Sequence, residues 1–167
     1  MSLFVPAKAK RHIPDIIKEN KTIKIQTYNF VGAEGFDRFK NLIYKNKLAM
    51  PRPRNILIPA IMCGIWSGYK TIYITGADHS WMKTLSVNEN NNVVSIQPHF
   101  YQDDTKEHKR VSEIYRDLKL HQVVHSFYVA FKSYHDLQNF AIKNNIQIFN
   151  ATPESFIDAF PRKKLPQ

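Results

Sequence analysis

One stretch restricts this chain more than any other: Arg54 to Trp81, RNILIPAIMCGIWSGYKTIYITGADHSW. From Ile56 to Ser67 the residues are apolar nearly all round, which suits a helix packed on both sides. Pro59 falls near its first turn, where proline is tolerated, and Gly68 fits a left-handed helix stop. Thr71–Thr75, TIYIT, is a short β-rich run with the character of a central parallel strand. The polar loop after it carries Gly76, Asp78, His79 and Ser80. Open α/β sheets bind ligands outside the carboxyl ends of their strands, so this loop is the leading candidate site.

The remaining elements follow from local pattern. Ile23–Phe30 has β-favouring residues in partial alternation and reads as a strand, whereas the first twenty-odd residues look irregular or weakly helical. Phe36, Phe39, Ile43 and Tyr44 recur at helical spacing and predict a helix over 36–48. Pro51 and Pro53 end it and leave an extended linker or loop. Residues 85–97 read as a hairpin around Asn88–Asn92, and 99–108 as a loop. Val111, Ile114, Tyr115 and Leu118 predict an amphipathic helix over 106–120. A second helix is expected over 122–144, interrupted near Ser133, then a buried strand at Ile146–Phe149. Thr152-Pro153 resembles an N-cap and first-turn proline opening a short helix through Phe160.

This order predicts one α/β domain over 1–167: a basic segment 1–54, a Rossmann-like core 55–160 and a tail 161–167. Its sheet should be mostly parallel and flanked by helices, with a small β-hairpin insertion. Strands 71–75 and 146–149 are expected to be neighbours. Three core strands are few for a doubly wound sheet. The chain is therefore expected to be a partial domain, the C-terminal part of a larger one, with Met1-Ser2-Leu3 as an added start.

Charge and cysteine content narrow the setting. Residues 1–54 hold twelve Lys/Arg against four Asp/Glu, +8 of the net +10. Such a segment suits nucleic acid, anionic lipid or phosphorylated ligands, but a solvated face is the simpler reading. No Arg-rich run interleaved with stacking aromatics supports nucleic-acid binding. A lone cysteine, Cys63, makes no internal disulfide and fits a reducing, cytoplasmic home; its apolar setting marks it as a core residue rather than a nucleophile. No apolar run spans a bilayer.

Four groups of side chains carry candidate chemistry. Asp78 can accept hydrogen bonds from a ribose or sugar hydroxyl, and His79 can act as acid or base near neutral pH. The plain alternative is a turn-capping Asp78 with an exposed His79. Arg54 and Asn55 precede the apolar helix, whose N-terminal amides favour an anion. His121 and His125 are spaced i, i+4, but HQVVH lacks the glutamate of the metalloprotease motif and no third ligand is evident. His125 remains a candidate base. No G-x-G-x-x-G or Walker pattern occurs.

Met62–Asp78, MCGIWSGYKTIYITGAD, and Ile146–Phe156, IQIFNATPESF, resemble the C-terminal half of the bacterial sialyltransferases of glycosyltransferase family 42. They are similar also to a related Rossmann-like family that includes the archaeal 6-hydroxymethylpterin diphosphokinases. The resemblance covers roughly residues 54–160 and implies a glycosyltransferase-like domain in bacterial surface-polysaccharide biosynthesis, capsule or lipopolysaccharide. It implies a nucleotide-sugar donor and a glycan acceptor, with no bound metal or other cofactor. His125 or His79 would be the catalytic base; Arg54, Asn55, Gly76, Asp78 and Ser80 would bind substrate. Those families carry a glycine-rich G-x-G-P-S segment for the nucleotide phosphates, absent here, and tyrosines where this chain has His79, Ser80 and Trp81. Association with the inner face of the membrane and a homo-oligomer are further expectations, nucleic acid is not. A non-catalytic binding domain and a pyrophosphokinase are the alternatives.

Overall fold

The computed structural model describes residues 1–95 and 117–166. Its centre is the pair expected from the sequence. Strand β3 (Thr71–Ile74) lies parallel to β6 (Gln147–Asn150), with Thr71 opposite Gln147 and Ile74 opposite Asn150. Helix α3 (Leu57–Trp66) leads into β3, and helix α4 (Leu120–Lys143) leads into β6. The chain stops α3 by turning at Gly68, φ 95°, as the glycine implied, while Ala60 is exposed, so the helix is not covered on every side as its apolar pattern suggested. Cys63 is buried in α3, and burial pushes its thiol up to about 11.

Helix α2 (Asp37–Lys45) packs on α4 through Ile43 and Tyr44, and the Tyr44 and Phe140 rings meet edge-on at 5.6 Å. Tyr44 also ties three segments together. Its hydroxyl donates to the Ala33 carbonyl at 2.6 Å, and its own carbonyl accepts from the Trp66 indole at 2.8 Å. Outside this core a ladder of alternating charge runs from Arg52 through Glu34, Lys132, Asp136 and Lys40 to Asp37 and Lys143. The Lys40–Asp136 contact, 2.6 Å and largely shielded from water, is its tightest rung. Residues 51–53 form a loop, as one of the two expectations had it, and it is anchored at its start, where Met50 pairs with Gly32 in a parallel bridge and Met50 and Pro51 are buried. The hairpin forms as expected, β4 (Leu85–Val87) against β5 (Val93–Ser95), with Asn91 left-handed in its loop.

Several local expectations fail in whole or in part. The first residues are weakly helical, as one of the two expectations had it, in a 3-10 turn (Ala7–His12) and a short α1 (Asp15–Lys18), but they begin with a strand that was not expected: β1 (Ser2–Pro6) pairs in parallel with β2 (Lys24–Tyr28). A partner twenty-two residues away selects that strand, from Ser2 opposite Lys24 onward, which a local pattern does not reveal. Helix α2 runs from Asp37 to Lys45, shorter than the expected 36–48, and Phe36 before it and Phe39 within it are 72% and 40% exposed. Helix α4 is not broken at Ser133, whose hydroxyl donates back to the Val129 carbonyl at 2.7 Å and stays inside the helix. No helix forms over 152–160. The loop at 99–108 and most of the helix at 106–120 lie outside the described residues.

The missing helix has a clear cause. Asn150, Thr152 and Ser155 are all buried. The Asn150 amide donates to Ser155 Oγ at 3.0 Å and to the Ile157 carbonyl at 3.1 Å, and its Oδ1 accepts the Thr152 N–H at 3.0 Å. These side chains take the backbone groups that a helix would pair. Replacing Asn150 by alanine leaves several buried groups unpaired. Asn150→Ala should lower stability by about 2–3 kcal/mol in chemical denaturation, with the slope against denaturant unchanged.

Candidate functional site

The loop after β3 is held from below before any of its side chains act. Ala77 N–H donates to Thr152 Oγ1 at 3.1 Å, and the Ala77 carbonyl accepts from Ser155 Oγ at 2.6 Å. The Asp78 carbonyl accepts the Phe156 N–H at 2.7 Å. Arg162 in turn holds that supporting segment, its guanidinium donating to the Thr152 and Ser155 carbonyls. Gly76 has φ 70° and nothing within 4 Å of where a Cβ would lie, so the turn off the strand is glycine-dependent and open to solvent. His79 has φ 53°, a conformation uncommon for a side chain-bearing residue and more frequent in functional loops.

That left-handed residue swings the His79 ring inward. It stacks on Trp81 at 4.2 Å between centroids, and Nε2 lies 2.7 Å from the Tyr134 hydroxyl. Tyr134 is fully buried on α4 and also meets Asn55, whose Nδ2 donates to the phenol oxygen at 2.9 Å. Asn55 is itself oriented: its Oδ1 accepts the Leu57 N–H at 3.0 Å, just as α3 begins. Asn55 therefore donates to Tyr134, and the phenol proton has two acceptors in reach, Asn55 Oδ1 at 3.1 Å and, nearer, His79 Nε2 at 2.7 Å, to which it is assigned. Assigned from this network, the neutral imidazole carries its proton on Nδ1. Burial holds His79 below its ordinary value, opposed by the Asp78 charge, and burial raises Tyr134 to about 12.

Asp78 faces the other way. It is exposed and held below the usual carboxylate range, first by the Ser80 hydroxyl and then by the backbone N–H groups of its own loop, with burial opposing them. One loop thus presents an ionised, fixed carboxylate beside a neutral imidazole. Trp81 continues into Phe127 and Phe131, with centroids 5.9 and 6.5 Å away. Beyond Phe131 opens a shallow groove of about 360 Å³ lined by Met82, Tyr128, Phe131, Lys132, His135, Phe156 and Asp158. Within it His135 Nε2 lies 3.1 Å from Asp158. A smaller hollow of about 210 Å³ at the carboxyl ends of β1 and β2 offers a single charged group, Lys47.

The structure brings Asn55, Gly76, Asp78, His79 and Ser80 into one constellation. Arg54, exposed, adjoins it through Asn55. His125 is not brought to it. That residue is exposed on α4, nine positions before Tyr134, which at the helical rise is about 13 Å along the axis. His121 is exposed as well, and among the described residues no three His, Cys, Asp or Glu side chains gather as a metal site. Sequence reading missed Tyr134, which looks like one more apolar position of a helical stripe. The available signal was its hydroxyl, since a buried tyrosine needs a partner. No helix among the described residues is long and apolar enough to cross a membrane. Comparison with protein-family models, curated proteins and solved structures finds no match.

Two outcomes test the network. Tyr134→Phe should cost about 1–3 kcal/mol, because Asn55 loses an acceptor in a buried setting. The second follows from linkage. A histidine whose folded value is depressed binds fewer protons folded than unfolded, so stability rises with pH through its window. Unfolding free energy should be level above about pH 6.5 and fall as pH drops below it, until the folded value is passed. Subtracting the His79→Gln profile isolates that slope; parallel profiles would show that His79 is not the group responsible.

Proposed function

We propose that this chain is a Rossmann-like, glycosyltransferase-type domain that takes a nucleotide-sugar donor and a glycan acceptor, in bacterial surface-polysaccharide synthesis. The observation that carries the reading is the Asp78–His79 pair. It joins a fixed anionic acceptor to a neutral, oriented donor on a rigid loop past a parallel strand, where α/β sheets bind ligands. Asp78, with its lone pairs arranged by Ser80 and loop amides, accepts hydrogen bonds from a ribose or sugar hydroxyl. His79 Nδ1–H donates to the phosphate oxygen that gains charge as the glycosidic bond breaks, the kind of electrostatic stabilisation that acts in the transition state. Tyr134 and Asn55 hold the imidazole in the tautomer this needs. Arg54 adds positive charge beside the start of α3. The aromatic groove past Trp81 suits the acceptor: Tyr128, Phe131 and Phe156 offer faces to the apolar side of a sugar ring, and the His135–Asp158 pair offers partners to its hydroxyls.

The test is a heteronuclear NMR titration of the chain with cytidine and uridine nucleotide-sugars. Binding should be weak, because the chain lacks a glycine-rich loop to grip the phosphates. Shifts should nevertheless concentrate at Gly76, Asp78, His79 and Ser80. Asp78→Asn should abolish them while altering stability by less than about 0.5 kcal/mol, as for an ordinary surface change. Shifts that survive Asp78→Asn, or that map to the hollow at β1 and β2, would overturn this assignment of the site.

A further inference from the structure

The connection between β1 and β2 shapes a cleft of its own. Parallel strands need a crossover, so the chain between them must pass over one face of the pair. Register and alternation put Leu3, Val5 and Ile25 on a common face. The 3-10 turn (Ala7–His12) and α1 supply its cover, and Ile13 between them is 8% exposed. The 3-10 turn itself buries no residue. Between this cover and Ile25 of β2 lies a cleft of about 440 Å³.

The lining of that cleft divides by depth. Buried Ile13 and half-buried Ile25 form an apolar floor, and exposed Lys8, Lys10, Arg11 and Lys18 stand around it. A 3-10 turn explains the gathering. At three residues per turn i and i+3 eclipse, so AKAKRH forms three rows. The rows Ala7–Lys10 and Lys8–Arg11 line the cleft, and the row Ala9–His12 does not. Lys18 joins them from α1. Among the described residues no carboxylate lines the cleft, and Lys8 and Lys10 have no carboxylate partner. Lys18 pairs with Asp15 at 2.8 Å, and the Arg11 Nε–H donates to His12 Nε2 at 3.0 Å. Charges of one sign over a low-dielectric floor focus the field and concentrate counter-ions. The cleft also lies within residues 1–54, which hold +8 of the net +10.

We propose that this cleft holds the phosphate of an anionic phospholipid and so docks the chain on a membrane surface. The cations alone would suit any phosphate. The apolar floor calls for a phosphate esterified to an apolar body, whose first carbons lie against Ile13 and Ile25 while its oxygens meet Lys8, Lys10 and Arg11. Inorganic phosphate gains nothing from such a floor. A polynucleotide offers phosphates too, but single strands are gripped by stacking on aromatic faces, and no aromatic residue lines the cleft. Lysine and arginine stems lie along apolar surface with their charged ends in water, which matches the depth at which a headgroup meets its acyl chains. Each lysine or arginine near an anionic leaflet adds about fivefold to affinity. The inference stands on the cleft alone and does not rest on the nucleotide-sugar reading.

The experiment is cosedimentation of the full chain with vesicles at physiological ionic strength. One set is phosphatidylcholine alone; the other contains about one-third phosphatidylglycerol. Binding should be confined to the anionic set. Lys8→Gln/Lys10→Gln/Arg11→Gln should weaken it by about a hundredfold, and Lys8→Gln alone, the check if the triple variant misfolds, by about fivefold. Arg38→Gln/Lys45→Gln/Lys70→Gln removes the same net charge at exposed positions outside the cleft and should weaken binding by less than about threefold. Methyl NMR reads the floor directly. Soluble dihexanoyl phosphatidylglycerol should move the Ile13 and Ile25 signals, and inorganic phosphate should leave them in place. Four results would overturn the proposal. Equal loss in the two triple variants shows net charge acting without a site, and equal binding to neutral vesicles shows apolar attachment alone. Methyls unmoved by the soluble lipid leave the floor empty. Single-stranded DNA that releases the chain from vesicles and moves the same methyls makes the cleft a polynucleotide site. None of these readouts involves a nucleotide-sugar, so loss of the lipid site and loss of the glycosyltransferase reading are separate outcomes.

Discussion

The parallel pairing of β3 with β6 is the constraint on which the rest of the molecule hangs. It fixes where β6 ends, and Asn150 at that end organises the turn through Thr152 and Ser155. That turn holds both backbone groups of Ala77, and through them the orientation of everything from Gly76 to Trp81. Two strand ends are thus welded side by side by buried side chain-to-backbone bonds. Such bonds are valuable here because the groups they satisfy would otherwise be unpaired in a dry interior.

Electrostatics then divides the loop. His79 turns toward Trp81 and Tyr134, loses water and is held neutral. Asp78, one residue earlier, turns outward and is kept ionised by its hydroxyl and amide donors. A single left-handed residue separates two opposite environments within one peptide unit. Both groups are held deprotonated, one as an anion and the other as a neutral ring, so the loop carries negative charge and an uncharged imidazole side by side.

The sequence displayed α3, β3, β6 and the hairpin plainly, because each is a short run whose own composition and bounding turns decide its state. Asp78, His79 and Ser80 were legible for the same reason: they follow a strand and precede an aromatic. What was not legible depends on partners distant in sequence. Leu3-Phe4-Val5 becomes a strand only because Ile25 and its neighbours lie opposite. Thr152-Pro153 reads as a helix start, but Thr152 faces Ala77 and takes a different task. Tyr134 looks like core and is core; its hydroxyl alone makes it part of the site. The exposure of Phe36 and Phe39 likewise has no signature in a helical repeat, which fixes a face but not what covers it.

Cys63 turns one burial into a measuring device. It is the sole cysteine, 5% exposed, and its thiol is held far from the reactive thiolate form. A thiol reagent therefore meets it only when α3 swings away from its neighbours, and the labelling rate counts those openings. Since α3 also leads into β3 and its loop, anything that clamps the helix would slow the same clock. The chain carries its own reporter of how often its core breathes, with no label added and no residue changed.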